Sequence, residues 1–456
     1  MNDNLQALIK KYDVPVPRYT SYPAVPLWDT EKFDPAQWPV YINRSFNESG
    51  HNEGISLYIH LPFCESLCTY CACNTRITKD HRVEEKYVQA ILNEWDLYLQ
   101  ILNKIPVIRE LHLGGGTPTF FNPNNLTKLV GGILGKSVIH TAHEFSFEGH
   151  PNNTTREHLH ALRDLGFTRV SYGVQDLNDK VQNAVHRVQP IENLEQVTRW
   201  SREAGYQSIS FDLIYGLPYQ TVDTVSDTVE KVIRLRPDRL SFYSYAHVPW
   251  IRPGQRGYED ADLPGDVIKR SLYETGRRLF REAGYYDVGM DHFALPDDTL
   301  CEAQLRGTLH RNFMGYTTNR TNLLIGLGVS AVSDAGYAYA QNEKKVEDYY
   351  AHIADGRLPV TKGHAQSAQD LLVKECILQI ICAGKLSNRL IEQLLDYNMF
   401  NKLKVMEEEG LVRLSEEGLY VTPTGRIFVR NICSLFDVRM RDQQMVEGGS
   451  VFSRSI

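Results

Sequence analysis

The sequence predicts an α/β fold: a partial (β/α)6 barrel, preceded by an N-terminal arm and followed by a mostly α-helical, winged-helix-like C-terminal domain. Two observations carry the barrel. From residue 55, β-prone apolar runs alternate with amphipathic helical stretches, and six such runs occur. That rhythm belongs to parallel strands joined by crossover helices. Nearly every residue with chemical character also falls just after one of these runs, where a βα barrel gathers its site. Beyond about 365 the pattern changes to successive helices and two β-prone runs. At 456 residues, two or three domains are expected. They are 1–54 (arm or lid), 55–360 (barrel with extension) and 361–456 (C-terminal domain).

Residues 1–54 are rich in proline and aromatics, with weak periodicity. The stretch Arg18-Tyr-Thr-Ser-Tyr-Pro23 is expected to be extended, because a residue before proline avoids the helical region. It carries one cation and two phenols, which suit either a lid over a site or an arm packed on the surface. The first strand is 55–60. A helix at 82–103 follows, with Val88, Ile91, Trp95, Leu99 and Leu102 stepping by three and four on one face. Strand 109–113 runs into Gly114-Gly-Gly-Thr-Pro118. Then come a helix near 124–135, strand 144–148, a helix near 155–164 and strand 168–173. A helical stretch at 178–203 breaks near Pro190. Strand 207–213, a helix at 221–234 and strand 239–245 close the series. Residues 246–360 have mixed character: a helix at 265–284 and a glycine-rich stretch at 326–330. Helices near 368–381, 387–396 and 399–409 precede β-prone runs at 410–414 and 418–422, a two-stranded wing.

Composition excludes several classes. A net charge of -7 argues against nucleic-acid binding by bulk electrostatics, and Glu407, Glu408, Glu409, Glu416 and Glu417 make the wing a poor surface for phosphates. No run of 18 apolar residues occurs, so no membrane span is expected. The first residues show no basic and apolar export signal, and a cytoplasmic location is expected.

Four of the eight cysteines lie at 64, 68, 71 and 73, just past the first strand. The first three read C-x3-C-x2-C. In a reducing compartment such crowding means metal binding more than disulfides. Soft thiolates suit an iron–sulfur cluster or zinc, and spacing alone leaves both open. Cys301, Cys376, Cys382 and Cys433 sit in apolar or helical contexts and are expected to be inert. The glycines of 114–116 let backbone N–H groups approach a ligand. Glu148, Gln175, Asp176 and Asp212 follow successive strands, and Arg187 is a fixed cation that could meet a ligand carboxylate. The histidines, His60 and His112 among them, are expected to be packed or hydrogen-bonded rather than metal ligands.

C-x3-C-x2-C after a strand, then GGGTP after the next, resembles the radical S-adenosylmethionine superfamily. The RYTSYP arm, Cys73, Tyr172-Gly-Val-Gln-Asp176, Asp212-Leu-Ile-Tyr-Gly-Leu-Pro218, Tyr245-Ala-His247, Met290-Asp-His-Phe293, His310-Arg-Asn-Phe313, Gly315-Tyr-Thr-Thr318 and Arg430-Asn-Ile-Cys433 resemble the oxygen-independent coproporphyrinogen III oxidases, in order and spacing, from about residue 5 to the C-terminus. The resemblance implies a 4Fe-4S cluster on Cys64, Cys68 and Cys71, with S-adenosylmethionine on its open iron. A 5′-deoxyadenosyl radical would take a hydrogen from the β-carbon of a propionate, and two propionates of coproporphyrinogen III would become the vinyl groups of protoporphyrinogen IX. By matching positions, Tyr58, Gly115 and Glu148 would bind the first S-adenosylmethionine. Tyr70, Gly116, Thr117, Gln175, Arg187, Asp212, Ala246 and Val332 would bind a second. Cys73, Tyr58 and Glu148 are the expected catalytic positions, with Cys73 on the substrate side and no iron ligand. Arg18, Tyr19 and Tyr22 would help close over the porphyrinogen. An electron donor such as flavodoxin or ferredoxin and a monomeric state are also implied. Two positions depart from the family pattern, His150 where an acid is common and Met314 where a glutamine is. Rival readings are a heme chaperone, a radical enzyme acting on another tetrapyrrole, and a zinc-containing winged-helix regulator.

Overall fold

The computed structural model of the chain describes residues 3–250, 252–444, 452 and 454. Six strands, β1 Ile55–Leu61, β2 Val107–Gly115, β3 Val138–Gly149, β4 Phe167–Gln175, β5 Ser208–Tyr215 and β6 Arg239–Ser244, pair in chain order and in parallel. β1 is buried almost throughout, as a parallel strand covered on both faces must be. Helices Val83–Leu102, Pro123–Leu134, Arg156–Asp164, Ile191–Glu203 and Val222–Arg234 make the crossovers. Their ends follow local chemistry. Thr155 and Thr221 cap the helices at Arg156 and Val222 through reciprocal hydrogen bonds with His158 and Thr224. Val225, Val229 and Val232 then face inward.

The sheet does not stop at six strands. Leu324–Leu327 pairs in parallel with β1, and Val332–Asp334, Ala338–Asn342 and Val360–Ala365 continue antiparallel beyond it. At the other edge His292–Ala294 and Tyr286–Asp287 follow β6. The result is one open twelve-stranded sheet, a barrel only in part. The stretch 246–360, expected to be merely mixed, thus supplies much of its width, and Val360–Ala365 crosses the boundary expected at 360.

The segment 1–54 divides between two cores. Phe33, Trp38, Ile42 and Phe46 join the sheet's core. Leu8, Tyr19 and Tyr22 join a second core built on Val373, Cys376, Ile380, Phe428 and Ile432. The stretch around Tyr19 and Tyr22 is docked, with these rings 3% and 1% exposed. Arg430 donates to the carbonyls of Val16 and Pro17, Asn431 donates to the Tyr12 carbonyl at 2.8 Å, and Tyr19 Oη donates to Asp437 Oδ2 at 3.1 Å. In the C-terminal region helices Ala368–Ala383, Asn388–Leu394 and Tyr397–Glu408 accompany a three-stranded sheet. The expected two-stranded wing gains Lys385–Ser387, paired with Gly418–Val421. Cys301, Cys376 and Cys433 are buried in the second core, as expected, and Cys382 lies partly buried against it.

Candidate active site

The carboxyl ends of β1–β6 open into one cavity of about 560 Å³. Cys64, Cys68, Cys71 and Cys73 line it, and so do Tyr70, Gly115, Gly116, Thr117, Glu148, Gln175, Arg187 and Asp212. Residues from six strand ends, spread over nearly 180 positions, meet there because parallel strands all point the same way.

The cysteine loop is closed on itself. Phe63–Cys64 pairs with Arg76–Ile77, and the Arg76 and Thr78 N–H groups donate to the carbonyls of Pro62 and Cys64 at 2.8 and 2.9 Å. All eight cysteines are free thiols, so the disulfide alternative is not realised. Cys64 Sγ lies 3.3 Å from Thr117 Oγ1, and Arg187 Nη1 donates to Cys68 Sγ at 3.5 Å. A hydrogen bond from Cys73 draws the Cys71 thiol down and pushes Cys73 up. Burial pushes the Cys64 thiol up to about 11. Among the described residues no three His, Cys, Asp or Glu side chains converge on a point that would suit a single metal ion. The thiols are arrayed along a cavity wall instead.

The glycine turn works differently from the expectation. Gly116 N–H and Thr117 N–H are not free for a ligand: they donate to the Leu61 and Phe63 carbonyls at 2.8 and 3.0 Å, tying the turn to the cysteine loop. A Cβ on Gly116 would come within 2.6 Å of the Pro62 carbonyl oxygen. Gly115 has φ +115, and its N–H donates to Glu148 Oε2 at 3.2 Å.

Glu148, at the end of β3, keeps 45% of its side chain accessible and lines the cavity. Burial raises its pKa, but the His112 ring, 3.4 Å from Oε1, and the Gly115 N–H outweigh that, and the net direction is down. His112 is itself held by Ser146 at 2.8 Å and stacks on Tyr58, with ring centroids 6.0 Å apart. Tyr58 reaches His60 Nδ1 at 3.0 Å, and His60 Nε2 reaches the Asn74 carbonyl at 2.9 Å. A carbonyl only accepts, so Nε2 carries the proton and Nδ1 accepts from Tyr58. His60 is therefore packed and hydrogen-bonded, as expected for a histidine, and links Tyr58 to the far end of the cysteine loop. It was legible two residues after Tyr58, on the same face of a strand.

Arg187 is pinned from the other side. Its Nη2 donates to the Gly173 carbonyl at 2.6 Å, while its Nε is buried with no partner. Gln175 adopts φ 64 at an irregularity of β4, and a Cβ on Gly173 would strike both Gln175 and Arg187. Asp212 accepts from Ser171 at 2.8 Å, and burial raises it to about 6 against the hydrogen bonds of Ser171 and Ser241. Asp176 is buried in the loop after β4, accepting from Asn178 and Gln220, and serves the fold rather than the cavity. Tyr243, which sequence reasoning passed over, lines the cavity. The Arg18 guanidinium lies 5.5 Å from its ring centroid and pairs with Asp291. The arm thus reaches the edge of the cleft.

Comparison with known proteins gives the family. The Radical SAM superfamily matches residues 58–232. The chain is 37% identical to the oxygen-independent coproporphyrinogen III oxidase of Synechocystis sp., over 98% of this chain and 97% of that one. It is 37% identical to the Escherichia coli protein of that name, over 99% and 98%. The structure of coproporphyrinogen III oxidase from Escherichia coli, a radical SAM enzyme, superposes with a TM-score of 0.87 at 36% identity, covering 95% of this chain and 98% of that one. This chain is a member of the oxygen-independent coproporphyrinogen III oxidase family. Its cofactors are accordingly a 4Fe-4S cluster and S-adenosylmethionine.

The residues fit both groups. Three soft donors on one closed loop suit iron and sulfide. A cavity of about 560 Å³ that ends in Glu148, Asp212 and an incompletely bonded Arg187 suits a zwitterionic nucleoside ligand. Not every position expected from the oxidase family lies on this cavity. Tyr58 is stacked on His112, Ala246 is exposed just beyond β6 with its carbonyl accepting from Gln255, and Val332 lies on the sheet extension; none of the three lines it. Met314, in the hairpin between His310–Asn312 and Gly315–Thr317, is not on it either. His150 is on it, held neutral by burial and by the neighbouring Arg187.

Proposed function

We propose that this chain oxidatively decarboxylates two propionate side chains of coproporphyrinogen III to vinyl groups, giving protoporphyrinogen IX for anaerobic heme synthesis. The observation that carries this reading is the cysteine loop, Glu148, Arg187 and Asp212 gathered on one cavity, with Arg18 at its edge. A propionate C–H bond is too weak an acid for any side-chain base. The bound cluster and S-adenosylmethionine supply a radical that can take that hydrogen.

In this reading Cys64, Cys68 and Cys71 hold the cluster. Cys73, on the same loop but drawn into a hydrogen bond with Cys71, keeps its proton and faces the substrate. Glu148, held in its anionic form, receives the amino group of the first S-adenosylmethionine, and Tyr58 and Gly115 pack beside it. Tyr70, Gly116, Thr117, Gln175, Arg187 and Asp212 form the wall for a second. Ala246 and Val332 belong to this assignment by resemblance alone. Arg18 offers its guanidinium to a substrate propionate, and the docked arm keeps water from the reacting carbon. A small reduced electron-transfer protein, flavodoxin or ferredoxin, delivers electrons to a monomeric enzyme in the cytoplasm. No helix among the described residues is long and apolar enough to cross a membrane.

The test is an anaerobic incubation with reductant, S-adenosylmethionine and coproporphyrinogen III. Protoporphyrinogen IX should accumulate through a mono-vinyl product. 5′-Deoxyadenosine without decarboxylation would point to another tetrapyrrole, and tight heme binding without turnover to a chaperone.

A further inference from the structure

Away from the cofactor cleft, a second cavity of about 190 Å³ lies between arm residues Tyr19–Tyr22, the hairpin at 310–317 and helix Ala368–Ala383. Its lining shares no residue with the cleft. Three cations line it, Arg311, Arg320 and Lys374, with two acids, Asp334 and Glu375. Both acids are taken. Lys374 Nζ pairs with Asp334 Oδ2 at 2.9 Å, and Arg320 Nη2 with Glu375 Oε2 at 3.8 Å. Arg311 remains. It is 7% exposed, and its Nε and Nη1 are buried with no hydrogen-bond partner. Among the described residues it has no acidic partner; its guanidinium lies over the Tyr316 ring, 4.6 Å from the centroid, with Cys382, Cys433 and His292 nearby and no carboxylate paired to it. His310 adds no further positive charge: burial, then Arg320 and Lys374, push it down to about 4 and leave it neutral. The hydroxyls of Tyr22 and Tyr339, also on the lining, are buried and make no close hydrogen bond, with Asp437 near the first and Lys374 near the second.

A guanidinium withdrawn from water and left unpaired is strongly unfavourable, and buried charges persist where a counter-charge meets them. The lining holds one positive charge in excess, unused N–H groups and two hydroxyl donors that make no close hydrogen bond. We propose that this cavity binds a small oxyanion, a carboxylate or a phosphate, received by Arg311 and by the hydroxyls of Tyr22 and Tyr339. The volume suits a group of that size and excludes a whole tetrapyrrole. Because the lining comes from the arm, the hairpin and the C-terminal helix, an occupant ties the three together. It thereby holds the arm that carries Arg18.

The test uses the full chain, prepared anaerobically, with inorganic phosphate or acetate added at constant ionic strength against chloride. Thermal unfolding should shift upward and saturate with at least one of the two. Charge-assisted hydrogen bonds of this kind correspond to about a tenfold to hundredfold change in affinity. Arg311→Gln should therefore weaken the anion by about tenfold or more, and Arg311→Lys should recover part of the loss. No shift with either anion, a shift that never saturates, or one identical in Arg311→Gln overturns the proposal. If Arg311→Gln does not fold, the double variant Tyr22→Phe, Tyr339→Phe keeps the rings and the cation. Its anion affinity must fall severalfold, and an unchanged affinity overturns the proposal equally. Coproporphyrin III added to phosphate-saturated protein separates two sources of the oxyanion. Competition identifies a propionate of the tetrapyrrole, and independent binding identifies a free anion.

Discussion

Gly116→Ala is the most informative small change in the molecule. A methyl group there would lie 2.6 Å from the Pro62 carbonyl oxygen and 2.9 Å from that of Phe63. Ordinary contact begins near 3.4 Å, so one side must move by about 0.8 Å. Both obstacles are backbone, and neither can rotate away. The Pro62 carbonyl also accepts from Arg76 N–H, and the Phe63 carbonyl from Thr117 N–H. Overpacking of this kind costs ~1–3 kcal/mol, and each of the two strained hydrogen bonds adds ~1 kcal/mol. That loss falls on the loop that carries Cys64, not on the sheet beneath it. The variant should therefore keep its far-ultraviolet circular dichroism and yet reconstitute with clearly less iron and sulfide per chain. Gly131→Ala, where an added Cβ meets nothing within 4 Å, is the control. Wild-type iron content and turnover in Gly116→Ala would refute the claim that the glycine turn sets the cysteine loop.

Three further outcomes follow from particular side chains. Cys73→Ala should assemble the cluster, seen by its visible absorption, but lose most turnover; a colourless protein would show that Cys73 is an iron ligand. Arg18→Met should raise KM for the porphyrinogen about tenfold at unchanged iron content, the loss of one charge-assisted contact; an unchanged KM would remove Arg18 from the substrate site. Glu94 is fully buried on helix Val83–Leu102, accepting from Gly328 N–H, Tyr349 Oη and Asn342 Nδ2, each at 2.7 Å. Burial, the largest effect, raises it from 4.5 to about 7 despite those bonds. A folded pKa above the unfolded one gives stability that is full below pH ~4.5 and lost as pH rises through ~7, about 3 kcal/mol for this shift. Unfolding midpoints of wild type should therefore fall more between pH 5 and 7.5 than those of Glu94→Gln. Parallel curves would contradict it.

The parallel strands and their crossover helices were legible because each is a local pattern. β1 is a continuous apolar run, and helix Val222–Arg234 repeats valine on one face after a threonine cap. What escaped depends on distant partners. Leu324–Leu327 is a short run that ends inside the glycine-rich stretch at 326–330, and becomes a strand because β1 offers an open edge. Lys385–Ser387 is three residues without alternation, and pairs only once Gly418–Val421 is beside it. The arm is fixed by Arg430, Asn431 and Asp437, about 400 positions away. At the site, residue types at strand ends announced themselves: the thiols, Glu148 and Asp212 all reach one cavity. The direction of an N–H group did not. Gly116 looked like a ligand cradle and is a backbone splice to the cysteine loop. Tyr243 looked like any strand aromatic until Arg18 was found over its ring.

The central claim is that the cofactors held in this cleft take hydrogen from a propionate β-carbon. Coproporphyrinogen III deuterated at those carbons tests it in a single anaerobic turnover, by mass spectrometry of the 5′-deoxyadenosine recovered. Deuterium in that product, matched by vinyl formation on the tetrapyrrole, is the predicted result. Unlabelled 5′-deoxyadenosine beside a porphyrinogen that keeps all its deuterium would contradict it.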